Sequence, residues 1–192
     1  MPLTPFHLGP GLLIGLALFS LIDFPTVLVA SVIIDVEPFL VLTFNLDLRV
    51  HGFFHSFVGG TIVALLLAVA MHRVNKLGYL SSVLRFFKLE QQSSFKRVVS
   101  GSILGIYVHI LLDSLMHSDI RPFYPFDWNP IRDSGVLSTL SIYVLCLWCT
   151  VGALMLFGAR MLFIWKTRSD QKHTRIHFCD DKMHSRTPSK YA

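Results

Sequence analysis

Two pairs of side chains in this sequence are spaced for joint chemistry: His51 and His55 in His-Gly-Phe-Phe-His-Ser, and His109 and Asp113 in His-Ile-Leu-Leu-Asp. Four residues is about one helical turn, so each pair is expected on a single helix face. His117 follows one turn after Asp113, giving imidazole, carboxylate and imidazole in a row that drifts slowly around the axis. His7 stands near the start of the chain, and Asp35 and Glu37 flank Val36. Neutral imidazole and carboxylate together suit a divalent ion such as zinc, iron or manganese.

These residues act together only if the chain brings them together, and composition says what kind of chain it is. Of 192 residues, 53% are hydrophobic and 15% charged, against about 25% charged in an average soluble domain. The apolar residues come in nearly uncharged blocks, which favours an all-α, polytopic membrane bundle of about five helices over a soluble core. The blocks are Leu8 to Ile22, Thr26 to Val36, Ser56 to Met71, Val98 to Met116 and Leu137 to Trp165. Disorder, a disulfide scaffold and a nucleic-acid-binding module are disfavoured, and no nucleic-acid partner is expected. Cys146 and Cys149 form a C-x-x-C inside an apolar run with no second pair, which reads as packing. Phe123, Tyr124, Phe126 and Trp128 read as an interfacial aromatic belt.

Local signals mark the ends of the blocks. Thr4-Pro5 and Asp23-Phe24-Pro25 look like helix starts. Pro38 disfavours the α conformation at Glu37, so the second helix is expected to unwind there, leaving Asp35 and Glu37 where it ends. The third block is short against the about 20 residues that cross roughly 30 Å of hydrocarbon, so it is expected either to start upstream, near His51, or to lie beside a thinned or water-filled cavity.

Lysine and arginine orient the chain. Arg73, Lys76, Arg85, Lys88, Lys96 and Arg97 crowd residues 72–97, and Lys166, Arg168, Lys172, Arg175 and Lys182 begin a polar tail. The positive-inside rule places both on the cytoplasmic side, which five spans allow only with the N-terminus outside. His7, Asp35, Glu37, His51, His55, His109, Asp113 and His117 then all fall at the outer ends of the helices, in a plasma (inner) membrane or an equivalent one. The topology used only Lys and Arg, so this convergence tests it independently. Two regions are expected: a membrane-embedded domain over 1–165, with the basic cytoplasmic segment 72–97 within it, and a basic, disordered cytoplasmic tail over 166–192.

Each residue alone has a plainer reading. A single histidine in an apolar helix is usually a hydrogen-bonded packing residue, Asp35 can cap locally, Asp113 can bond a neighbouring helix, and His51 can sit at the water interface.

Thr-Pro-Phe-His at the start, Ser-Val-Ile-Ile-Asp-Val-Glu-Pro, His-Gly-Phe-Phe-His-Ser, and His-Ile-Leu-Leu-Asp followed by Arg-Pro-Phe-Tyr-Pro-Phe resemble, in that order, the YdjM-like family of inner-membrane proteins. The resemblance covers about residues 4–126 and implies a metal-dependent hydrolase. That family is similar in turn to the zinc-dependent phospholipase C and single-strand nuclease superfamily. Carried over residue by residue, the likeness implies His7, Asp35, His55, His109 and Asp113 as metal ligands, with His51 and His117 as further candidates and zinc as the leading ion ahead of manganese or iron. No second H-x-x-x-D lies in the apolar blocks, so one or two ions are expected rather than three.

The function expected on this basis is hydrolysis of a phosphoester or lipid-like substrate by a metal-activated water. Asp113 can bridge two ions. Glu37 or Asp35 can accept the proton of the water, and Arg49 or Arg121 can orient an anionic head group. The expected partners are membrane lipids and a lipid or phosphoester substrate; nothing in the sequence sets an oligomeric state. The rival function is a non-catalytic metal-binding or transport-related membrane protein, for which the same ligands would serve.

Overall fold

The computed structural model describes residues 4–135 and 138–184, and every regular element among them is helical. Two compact units divide the chain, Met1–Leu156 and Phe157–Ala192. Four helical stretches are long and apolar enough to cross a membrane: Phe24–Thr43, Phe57–Leu77, Phe95–Met116 and Thr139–Thr167.

A 3-10 turn at Thr4–His7 leads into α1, Leu8–Ala17. The span expected over Leu8 to Ile22 is thus cut to 10 residues, which rise only about 15 Å. Residues 18–22 leave the helix and are held from far along the chain. Arg97 Nη2 donates to Phe19 O at 2.5 Å, and Gln91 Nε2 to Ile22 O at 2.8 Å.

Helix α2, Phe24–Ala30, starts as its sequence requires. Asp23 caps it by accepting from Thr26 N at 3.2 Å and Thr26 Oγ1 at 2.5 Å. The break expected at Glu37 lies earlier, in a 3-10 turn at Ile33–Asp35, and α3 resumes over Val36–Thr43. Pro38 falls in the first turn of α3, where no intrahelical N–H is needed, so it permits the helix it was expected to stop.

Helix α4, Phe57–Leu77, also corrects an expectation. It begins after His55 rather than at His51, because Ser56 caps it by accepting from Gly59 N at 3.0 Å. It gains its length at the far end, taking in Arg73 and Lys76 before Gly78 ends it at φ 74°. Helix α5, Ser81–Phe86, leads to α6, Phe95–Met116, which is capped by Ser94.

The interior forms where α2 and α4 pack on α6, around Ala30, Ile34, Ala64, Ile106 and Ile110. A Cβ on Gly105 of α6 would come within 2.6 Å of Ala30 Cβ and 2.9 Å of Val27 O, so only glycine lets α2 approach this closely. Helix α7, Pro130–Asp133, follows a loop that folds back on the end of α6, where Asn129 Nδ2 donates to Ser114 O at 2.9 Å. Such bonds satisfy carbonyls that the last helical turn leaves free. Helix α8, Thr139–His184, places Ile142 and Cys146 against Leu112 and Met116. In the second unit, the helical backbone continues to His184 where a disordered tail was expected; residues 185–192 of that tail lie outside the described residues.

The bundle therefore has two distinct ends. At one, Asp23 meets Asn75 and Arg97, beside the basic segment. At the other, His7, Asp35, His55 and Asp113 gather.

Candidate metal centre

Three short departures from regular helix deliver side chains to that second end. His7 closes the 3-10 turn before α1, Asp35 closes the turn before α3, and His55 closes a third 3-10 turn, Phe53–His55, before α4. His109 and Asp113 come from α6 at the expected four-residue spacing. His117 is not one turn further along that helix as expected; α6 ends at Met116, and His117 is its extended C-cap residue. His51 and His55 likewise do not share a helix face, since neither lies on α4. Their rings still meet edge to face at 4.9 Å, brought together by the loop.

Three overlapping groups have ligand atoms within 4.8 Å of one another: His7, Asp35, His109 and Asp113; His51, His55 and Asp113; and His51, His117 and Asp119. Every residue the sequence nominated as a ligand is in one of them. Asp113 joins the first two groups. Asp119 was missed, because it lies beyond the helix in a loop where spacing carries no geometric meaning; the only signal was its place two residues after His117.

Hydrogen bonds orient three of the rings, those of His109, His55 and His51. His109 Nδ1 lies 2.7 Å from Ser31 O, and a carbonyl only accepts, so Nδ1 carries the proton. Its Nε2 then faces Asp35 Oδ1 at 3.4 Å and Asp113 Oδ2 at 3.2 Å. His55 Nδ1 donates to Glu37 Oε2 at 2.8 Å, aiming Nε2 at Asp113 Oδ2, 3.8 Å away. His51 Nδ1 donates to Asp119 Oδ2 at 2.7 Å. His7 Nε2 lies 3.1 Å from Asp113 Oδ1. Second partners of this kind fix the tautomer and direction of metal-binding imidazoles.

Imidazole nitrogens and carboxylate oxygens packed this closely in a buried site need a proton or a metal ion between them. His55, His109 and Asp113 are at most 1% exposed. His7 Nδ1, Asp35 Oδ2, His55 Nε2, His109 Nε2, Asp113 Oδ1 and His117 Nε2 are all buried without a hydrogen-bond partner. Each such atom costs about 1–3 kcal/mol, so six at one end of the bundle call for a ligand. The separations fit one: tetrahedral zinc with nitrogen and oxygen ligands at about 2.0–2.1 Å puts ligand atoms roughly 3.3 Å apart. The residues present therefore fit a divalent ion.

Outside the membrane-spanning segments, protonation agrees. Burial lowers the pKa of His55 against the opposing effect of Glu37, and burial lowers that of His117, so both are neutral and free to ligate. Burial raises the Asp119 carboxyl, but the bond from His51 outweighs it and the net pKa falls.

The remaining nominated residues have different surroundings. Glu37 is committed to His55 and is not a free base. Gly52 makes room for it, because a Cβ there would collide with Glu37 Oε1. Arg121 is paired with Asp127. Arg49 is exposed, lines an apolar cavity, and makes no ion pair among the described residues.

The family model described as YdjM inner membrane protein matches residues 1–173. No curated protein and no solved structure matches the chain.

Proposed function

We propose that this chain, which belongs to the YdjM inner membrane protein family, is a metal-dependent hydrolase of phosphoester or lipid-like substrates. The observation that carries the reading is the set of imidazole nitrogens and carboxylate oxygens facing one another, buried and short of hydrogen-bond partners, at one end of a membrane bundle.

His7, Asp35, His109 and Asp113 would hold one divalent ion, and His51, His55 and Asp113 could hold a second, Asp113 being common to both groups. A divalent ion there, zinc above all for this nitrogen and oxygen donor set, supplies Lewis acidity and a hydrolytic nucleophile at neutral pH. The chain does the rest. Glu37 and Asp119 hold His55 and His51 in the ligating tautomer. Asp35 is the best placed proton acceptor: its side chain is 16% exposed against 2% for Asp113, and its Oδ2 has no hydrogen-bond partner.

The basic residues of α4, α5 and α6 cluster at the opposite end from these ligands. The positive-inside rule then puts the site on the outer face, with the N-terminus outside and the C-terminus cytoplasmic. Transport is the weaker reading, because the interior between Asp113 and Asp23 is lined by Ile106, Ala30, Val27 and Ala64 rather than by ionisable groups. Elemental mass spectrometry of the detergent-purified protein, with phosphodiester hydrolysis measured before and after chelation, tests the reading. At least one zinc, manganese or iron per chain is expected, with turnover lost on chelation and restored by the ion. A folded protein that takes up none of these ions is not this enzyme.

A further inference from the structure

A cavity of about 610 Å³ lies between α3 and the loop that returns to α4, walled by residues including Val36, Leu40, Leu46, Leu48 and Phe54. Ligand pockets span about 300–1,000 Å³, so it has the size of a binding site. Two residues break its apolar lining. Arg49 is its single cation, without an ion pair among the described residues, and Glu37 is the carboxylate whose other oxygen holds His55. One wall of the cavity is thus the rear of the metal centre.

The loop alternates exposed apolar and exposed polar residues. Phe44 is 66% exposed, Leu46 45% and Leu48 67%, interleaved with Asn45, Asp47 and Arg49. Exposed apolar side chains interleaved with charged ones suit the membrane-water boundary, where a lipid tail can reach the apolar wall and its head group the charged residues. An alkyl chain moving from bilayer to cavity gains little, since both are apolar. Selection must come from the head group, and the lone cation on the wall favours an anionic one.

We propose that this cavity takes one acyl chain of an anionic phospholipid from the bilayer, with Arg49 holding the head-group phosphate beside the metal centre. The inference rests on the hydrolase reading and assigns the substrate of that site. The geometry requires no metal for the chain to enter.

The test is photolabelling of the full chain in phosphatidylcholine vesicles, using phosphatidylglycerol with a diazirine at the end of one acyl chain and mapping adducts by mass spectrometry. Adducts are expected to concentrate on residues 36–54 over the lipid-facing residues Leu147 and Leu154 of α8. Arg49→Gln is expected to lower that enrichment about tenfold, the worth of a charge-assisted bond to phosphate, and to leave labelling by a diazirine phosphatidylcholine unchanged. Leu46→Trp and Leu40→Trp, which fill the cavity from two sides, are each expected to abolish the enrichment. Glycerol phosphate at millimolar concentration is expected not to compete, which separates a lipid from its free head group. Equal labelling of residues 36–54 and α8, or enrichment that survives both tryptophans, overturns the proposal. Repeating the labelling on chelated protein separates the two readings. Enrichment without any bound metal in the untreated protein would count against the hydrolase alone, and uniform labelling of a metal-loaded protein against the cavity alone.

Discussion

Each end of the bundle buries an aspartate to 1% exposure, and the two are treated in opposite ways. Asp23 has every oxygen engaged. Oδ1 accepts from Thr26 N and Oγ1, and Oδ2 from Asn75 Nδ2 at 3.1 Å. Asp113 is ringed by His7, His55 and His109, and its Oδ1 has no hydrogen-bond partner. A closed network of donors is how a protein keeps a buried carboxylate for structure. A carboxylate ringed by imidazoles, with an oxygen left short of a donor, is placed to hold a cation.

The largest effect should come from making Asp113 neutral. In Asp113→Asn the amide is a poor ligand, so bound metal and any hydrolytic turnover are expected to vanish. The same amide can donate to an imidazole nitrogen, so the metal-free variant is expected to melt at a higher temperature than metal-free wild type. A lower melting temperature for the variant would mean that Asp113 is a structural residue like Asp23, and the contrast would collapse.

Next in size is Glu37→Gln. The amide oxygen still accepts from His55 Nδ1, but the charge that strengthens the ligand is gone. Changes to such partners typically weaken metal affinity about 10–100-fold, and a competitive chelator titration reads the shift. Gly52→Ala should move affinity in the same direction by a smaller amount, since its methyl displaces Glu37 from outside the site. Unchanged affinity in both would leave Glu37 free to be the proton acceptor originally expected of it.

At the other end, Asp23→Ala should leave metal content unchanged and destabilise the bundle. It removes a helix cap and leaves Asn75 and Thr26 short of a partner, at a cost of about 2 kcal/mol. Thermal unfolding in detergent measures it. Loss of metal in this variant would show that the two ends are coupled.

Much of this contrast was legible in the sequence, for identifiable reasons. Lysine and arginine positions alone predicted that the histidines and acids share one end, because charge placement along membrane helices is a global constraint. Asp23-Phe24-Pro25 announced a cap because capping is local. What was not legible depends on distant partners or on loops. Residues 18–22 are as apolar as a helix, yet Gln91 and Arg97 hold them as a turn. Pro38 gave the wrong boundary because its effect depends on where the helix restarts. The four-residue spacing of His51 and His55 suggested a helix face, and the pair converges through a 3-10 turn instead. The spacing of His109 and Asp113 worked because α6 is regular throughout.

The smallest effect belongs to Asp119, the residue that spacing could not find. It is 46% exposed on its side chain, so solvent screens its charge and limits its worth. Its pKa is held below the ordinary carboxylate range, so its ionised form, and the bond to His51, is complete at neutral pH and fades only as pH falls through that lowered value. Asp119→Asn keeps an acceptor for His51 Nδ1 and loses the charge. Because His51 belongs to the second and third groups and not the first, only the weaker of two metal-binding steps should change, by a few-fold. Zinc titration by calorimetry resolves the steps. Equal weakening of both would show that the groups act as one centre, and loss of the second step altogether would make Asp119 a ligand in its own right rather than the support of one.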